Sequence, residues 1–205
     1  MRLRGISTEL NPRGQAGQDR FALAVTGRPK TGTFLDVGSG DPIIYNNSCM
    51  LEERGWRGLL VDLCDCADVA TFRRTPFLRA DALSVDWPAA LAQHGLGDRI
   101  DYLSFDLDDS GATALARLPW GTTRFSCMTV EHDSYRLGDG PRGTMRQLLL
   151  AHGYRLLCPD VTIDGFGSFE DWWVDPASVD AICANRFATD RPTNWRDIIT
   201  RGENG

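Results

Sequence analysis

The stretch from Thr31 to Asp62, TGTFLDVGSGDPIIYNNSCMLEERGWRGLLVD, constrains the fold more than any other part of the chain. It begins with a short apolar run, Phe34-Leu35-Asp36-Val37, which breaks at Gly38-Ser39-Gly40-Asp41-Pro42. A helix-compatible segment then runs through Leu51-Glu52-Glu53-Arg54, stops at Gly55 and gives way to a second apolar run, Leu59-Leu60-Val61, ending on Asp62. This order predicts a strand, a glycine turn, a helix and a parallel strand: one βαβ unit with a carboxylate where the second strand ends.

Glycines at the first turn let backbone N–H groups approach a ligand closely, and the helix start that follows favours an anionic group. The spacing places Asp62 beside that turn, at the carboxyl edge of the sheet, ready to accept from both hydroxyls of a ribose. A hydrogen bond to a charged group of this kind contributes about 1.5–3 kcal/mol. Ile43 stands where the G-x-G-x-x-G pattern has its third glycine, which disfavours a dinucleotide's pyrophosphate. A nucleoside with an amino-acid tail, S-adenosyl-L-methionine, suits the short loop better. The bland alternative is an ordinary βαβ unit with a glycine turn and no ligand.

The pattern continues down the chain. Gln18 to Val25 predicts a helix in an N-terminal arm over 1–30. After Asp62 come a helix from Ala67 to Arg74, a strand Pro76-Phe77-Leu78 running to Asp81, and a helix from Trp87 to His94. A fourth strand, Ile100 to Phe105, leads to Asp106-Leu107-Asp108-Asp109, and a helix from Ala112 to Leu118 is stopped by Pro119. Phe125 to Val130 is the fifth strand, ending in Glu131-His132-Asp133. An amphipathic helix from Thr144 to His152 precedes two last strands, Tyr154 to Cys158 and Asp171 to Val174. Alternation within the final strand puts one of Trp172 and Trp173 inward and the other outward. A short helix over Val179 to Asn185 and a loosely held end close the chain. Together these predict a single domain, with a core over 31–175 and a tail over 176–205. Its fold class is α/β: a doubly wound, mostly parallel sheet of about seven strands with an antiparallel terminal pair and helices on both faces.

Composition sets limits on partners. A net charge of −6 argues against non-specific binding to nucleic acid or an anionic membrane. No apolar run reaches the length of a membrane span, and MRLRGISTELNPRG lacks the apolar core of a signal peptide. Cys49, Cys64, Cys66, Cys127, Cys158 and Cys183 are scattered, and no second pair completes a zinc site around Cys64-Asp65-Cys66. They are read as reduced thiols in a cytoplasmic chain. Lys30 is the only lysine and precedes the first strand, so a lysine base near the methyl group is not expected.

Acids recur at one position. Asp36, Asp62, Asp81, Asp106 with Asp108, and Glu131 beside His132 all close strands or begin the loops after them. In an open parallel sheet those ends share the edge where ligands bind. Each alone is accounted for equally well as a turn former or helix cap. Read functionally, Gly38, Gly40 and nearby backbone hold the cofactor's tail, and Asp62 takes the ribose. Asp81 with the backbone of Ala82 accepts from the adenine amino group, and Asp106 lies near the reactive sulfonium. Asp106, Glu131 and His132 are the candidate catalytic residues. They can also be read as ligands of a divalent ion: Mg²⁺ or Mn²⁺ by their carboxylates, with His132 tilting the choice to Mn²⁺ or Zn²⁺. Two other readings of His132 stand beside this one: a metal-free base oriented by Asp133 or Asp106, and a structural residue. Arg136, Arg142 and Arg146 can bind a phosphate or carboxylate on an acceptor, though a solvated helix face accounts for them as well.

Several blocks resemble the FkbM family of S-adenosylmethionine-dependent methyltransferases, a class I, Rossmann-like group, from about Gly17 to Val174. The opening block reads Asp36-Val37-Gly38-Ser39-Gly40-Asp41-Pro42, then Asn46-Asn47-Ser48, then Leu51 to Gly58. Asp101 to Asp109 matches the fourth-strand block and Glu131-His132-Asp133 the fifth. Leu149 to Tyr154 and Asp171 to Trp173 match the closing motifs. Pro42 replaces a usual glycine, Asp62 a usual glutamate and Asp109 a glycine, and Gly111 falls where an acid is expected. The resemblance implies methyl transfer, often to hydroxyl oxygens of sugars or secondary metabolites, and hence a small-molecule acceptor. Two rivals remain at this stage: an NAD-dependent oxidoreductase on the same βαβ unit, and a non-catalytic domain that keeps the fold.

Overall fold

The structure, a computed structural model, describes residues 12–28, 30–64, 69–165 and 167–204. The first eleven residues of the arm, Asp65 and Cys66 of the cysteine pair, and the start of the helix expected from Ala67 lie outside the described residues.

In chain order the elements are α1 (Gln18–Thr26), β1 (Thr33–Val37), α2 (Cys49–Glu53), β2 (Arg57–Asp62), α3 (Val69–Phe72), β3 (Phe77–Arg79), α4 (Trp87–Gln93), β4 (Arg99–Phe105), α5 (Gly111–Leu115), β5 (Arg124–Glu131), α6 (Ser134–Leu137), α7 (Asp139–Ala151), β6 (Arg155–Thr162), β7 (Ser168–Val174), α8 (Ala181–Phe187), β8 (Thr193–Asn194) and α9 (Trp195–Asn204). The strands form one sheet in the order β3-β2-β1-β4-β5-β7-β6-β8. β1 pairs in parallel with β2 and β4, β2 with β3, and β4 with β5. β7 inserts antiparallel between β5 and β6, its partner in the terminal hairpin.

Side chains alternate across this sheet with period two, and both faces are covered. Phe34, Leu60, Tyr102, Cys127 and Trp172 join Phe21 and Val25 of α1, Phe187 of α8 and Ile198 and Ile199 of α9 in one core layer. Leu35, Leu59, Leu103, Met128 and Trp173 join Trp87, Leu115, Met145 and Leu149 in the other. Trp172 and Trp173 do face opposite ways, yet both are fully buried, because helices cover the face expected to be outward. Phe21 stacks on Trp172 with ring centroids 4.6 Å apart.

The chain beyond residue 175 is not a loose end. β8 pairs in parallel with β6, and α9 buries Trp195, Ile198, Ile199 and Gly202, an i, i+3, i+4, i+7 stripe. α7 begins five residues before the expected helix start, at Asp139. Among the described residues no helix is long and apolar enough to cross a membrane.

Candidate functional site

The turn after β1 is built by close approach. Gly38 has φ +81°, and a Cβ there would stand 1.6 Å from the carbonyl oxygen of Asp106. Its N–H donates to Val61 O at 2.8 Å, and Asp106 N–H donates to Val37 O at 2.9 Å. The ends of β1, β2 and β4 are thereby pinned together, and any side chain at residue 38 would wedge β1 off β4. Gly40, also at positive φ, faces open space. Asp62 accepts from the N–H of Gly40 and of Cys64, each at 2.8 Å. The carboxylate that closes β2 thus reaches across to the glycine turn, as the spacing predicted.

Asp36 is one strand-end acid that faces into the fold. Its carboxylate accepts from Ser48 Oγ at 2.6 Å beneath the turn. Burial lifts it to about 6, against the opposing influence of Ser48 and Arg73. Arg73, buried and invisible to motif reading, donates to Pro42 O, Asn46 Oδ1, Ser48 Oγ and Glu52. It ties the loop after β1 to α2. Asp81 is exposed after β3 and accepts from Leu83 N–H at 2.9 Å, while Ala82 is buried.

Asp106 and Glu131 meet at the ends of β4 and β5. Burial raises Asp106, as do Asp108, Asp133 and Asp62 around it, while a hydrogen bond with Glu131 opposes them. Glu131 rises far above the carboxylate range, first through burial and then through its contact with Asp106. Both carboxyls are thus held above their ordinary range, Glu131 the further of the two. Arg136 bridges Asp133, Asp108 and Asp109 on the outer side.

His132 does not join them. It follows Glu131 on extended chain, so its ring turns to the opposite side. Nδ1 accepts from Ser134 N–H at 3.1 Å, which leaves Nε2 to face Asp171 at 3.4 Å and Asp160 at 3.9 Å. Among the described residues, the ligand atoms of His132, Asp160 and Asp171 lie within 4.8 Å of one another; no such group contains Asp106, Glu131 and His132. The expected metal trio is thus not assembled, and a base role for His132 beside Asp106 loses its geometry. The alternative trio does not fit a divalent ion either. Arg146 grips Asp171 with two bonds of 2.7 Å and reaches Asp160 at 3.0 Å, and Arg142 pairs with Asp160 as well. Burial pushes Asp171 up, but Arg146 and His132 outweigh it and hold the carboxyl below its ordinary value. Two guanidiniums already neutralise two carboxylates there. Of the arginines expected on a solvated face or against an acceptor, Arg142 and Arg146 are counterions of these carboxylates, while Arg136 pairs at the surface.

Around this edge Ile44, Tyr45, Leu63 and Tyr135 are exposed, an apolar rim on the loops after β1 and β2 and on α6 after β5. A cavity of about 390 Å³ beside the first loop is lined by Arg13, Gly14, Ile43, Ile44, Tyr45 and Trp195 among others.

No protein-family model matches the sequence. No curated protein matches it. Solved structures do match. One, assigned as an RNA methyltransferase from Pyrococcus horikoshii, is 10% identical with a TM-score of 0.52, over 78% of this chain and 81% of that one. Another, assigned as an S-adenosylmethionine-dependent methyltransferase from Listeria monocytogenes, is 12% identical with a TM-score of 0.51, over 78% of this chain and 98% of that one. The fold is the α/β Rossmann-like methyltransferase fold. At these identities the likeness carries the fold and nothing finer.

Proposed function

We propose that this chain is an S-adenosylmethionine-dependent methyltransferase of FkbM type. It methylates a hydroxyl oxygen on a small acceptor, a sugar or secondary metabolite, in the cytoplasm and without a nucleic-acid or membrane partner. The observation that carries the reading is Asp62 held at 2.8 Å from Gly40 N–H: a ribose acceptor and a glycine turn sharing one cradle on a methyltransferase fold. The open space at the α-carbon of Gly40, and the buried Ser39 Oγ with no hydrogen-bond partner among the described residues, fit an approaching ligand.

When bound, S-adenosyl-L-methionine supplies a methyl group on a positively charged sulfur. Each oxygen of Asp62 keeps a further lone pair for a ribose hydroxyl. Asp81 and the backbone of Ala82 hold the adenine amino group. Asp106 would offset, by its negative charge, the hydration that the bound sulfonium loses on burial. A carboxylate of the Asp106–Glu131 pair takes the acceptor's proton, and the apolar rim excludes water from it. Alignment of acceptor oxygen with methyl and sulfur supplies most of the acceleration. His132 is a positioning residue: its ring fixes the Glu131-to-Ser134 turn from below through Ser134 N–H. No step here runs through a metal.

Calorimetry with S-adenosylhomocysteine tests the reading. The wild-type chain is expected to bind it and to ignore NADH, and Asp62→Ala to weaken binding about tenfold or more. Unchanged affinity in the variant would remove Asp62 from the ribose site. Stabilisation by NADH alone would favour an oxidoreductase.

A further inference from the structure

The cavity of about 390 Å³ beside the first loop lies where three separate stretches of chain meet. Residues 12–15 run along one side, and Gly14 among them bridges to Tyr45. Ile43, Ile44 and Tyr45, in the loop after β1, form a second wall; Trp195 and Arg196, where α9 begins, form the third. The volume is that of a small-molecule site, about 300–1,000 Å³.

Charge sets this cavity apart from the rest of the molecule. The chain carries a net charge of −6, yet among the described residues the lining holds two arginines, Arg13 and Arg196, and no acid. Arg13 reaches Glu53 through one nitrogen at 3.0 Å, and Arg196 reaches Asp164 through one nitrogen at 2.6 Å. Both are exposed ion pairs, which hold weakly, and a guanidinium has five N–H donors, so each arginine keeps donors for a further anion.

Trp195 adds a neutral donor. It is only 8% exposed, and its Nε1 is buried with no hydrogen-bond partner among the described residues. The six-membered ring is seated on α1, since a Cβ on Gly17 would stand 2.9 Å from its Cε3 and Cζ3. Nε1 lies at the other end of the indole, away from that contact. The guanidinium carbon of Arg196 sits over the ring, 4.6 Å from the centroid. An indole N–H can only donate, so beside two guanidiniums it completes a set of donors that lacks its acceptor.

We propose that this cavity is a small-molecule site that binds a compact anionic group, a phosphate or carboxylate on a planar or apolar body, through Arg13, Arg196 and Trp195 Nε1–H. Planar guanidiniums suit the oxygens of either anion, and Ile43, Ile44 and the Tyr45 ring cover the body that carries it. The site goes beyond the methyltransferase reading and does not draw on it, because Gly38, Gly40 and Asp62 are not part of its lining.

Titration with phenyl phosphate, followed by NMR of the indole N–H signals of the six tryptophans, tests the proposal. The signal lost in Trp195→Phe belongs to Trp195. In wild type it is expected to move on adding phenyl phosphate and to stay in place on adding phenol. By calorimetry Arg13→Gln and Arg196→Gln should each weaken phenyl phosphate about tenfold. Melting curves check that these variants fold; should either not, Trp195→Phe, which keeps an aromatic ring and loses the N–H, supplies the comparison with a smaller expected loss. Benzoate in a parallel titration separates the two anions: the tighter of the pair names the group the site takes. Equal shifts with phenol, unchanged affinity in the variants, or a Trp195 signal that does not respond overturn the proposal. Failure to bind S-adenosylhomocysteine would overturn the methyltransferase reading and leave this site standing.

Discussion

Glu170 is buried on β7 and among the described residues has no ion-pair partner; it accepts from Trp172 Nε1 at 2.7 Å and Gln18 Nε2 at 3.3 Å. Burial lifts its carboxyl from 4.5 to about 8, those two hydrogen bonds opposing the shift and the charges of Asp106 and Asp171 adding to it. The folded value exceeds the unfolded one, so folding takes up a proton. Its contribution to stability is complete below about pH 4.5 and is lost as pH rises through about 8. Glu170→Gln, which cannot ionise, should therefore gain on wild type between pH 5 and pH 9, by a few kcal/mol in order of magnitude. Melting curves across that range read the difference directly, and a gap independent of pH refutes it. At this scale the sequence is a partial guide. It shows Glu131 and His132 as neighbours, but an extended backbone sends neighbours to opposite sides, and the partners of His132 come from Asp160 and Asp171, distant in the chain. No local pattern announces such a contact, nor the four bonds of Arg73. Asp62 was legible because its position follows from a strand's end, not from a side chain's choice of partner.

At the scale of elements, the glycine turn contains two residues that look alike in sequence and differ in structure. Gly38 and Gly40 both have positive φ, but only Gly38 has backbone where a Cβ would go. Gly40→Ala carries the left-handed penalty alone, about 1–2 kcal/mol, which for a chain of this size lowers the melting temperature by about 2–8 °C. Gly38→Ala must also push the carbonyl of Asp106 away, separating β1 from β4, and should yield no folded protein or one that melts far lower. Similar melting temperatures for the two variants would mean that the close approach of β1 and β4 is unimportant. The strands themselves were readable because each is an apolar run bounded by turn residues, and a sheet covered on both faces produces such runs. β8 was not, since two residues paired to a hairpin edge carry no periodicity. α9 does have a helical stripe, but with few apolar members and a glycine among them, Gly202, whose missing side chain lets Phe187 pack against the helix.

For the whole molecule, the issue is what closes the core on the α1 side. The parallel strands and the β6–β7 hairpin leave Phe21, Phe34, Cys127 and Trp172 on a face that α1 alone is too short to cover. The chain after residue 175 returns to complete that layer with Phe187, Trp195, Ile198 and Ile199. Arg201 fastens the return by donating to the carbonyls of Arg186, Phe187 and Ala188, and Arg20 of α1 pairs with Glu203. The C-terminal segment is thus part of the fold's stability and also sits behind α1, whose Gln18 reaches Glu170 at the site's inner wall. Ile198, fully buried, tests this cleanly because it touches none of the polar site. In a packed layer Ile198→Ala costs about 2–5 kcal/mol, a fall of roughly 4–20 °C in melting temperature for a chain of this length. In a loose appendage the same change would cost under about 0.5 kcal/mol and shift the transition by no more than about 2 °C. A single cooperative transition at the lower temperature would place α9 in the same folding unit as the sheet. Early release of the C-terminal segment by protease, with the rest of the chain still melting as before, would instead make α9 a separable attachment and remove it from the support of α1.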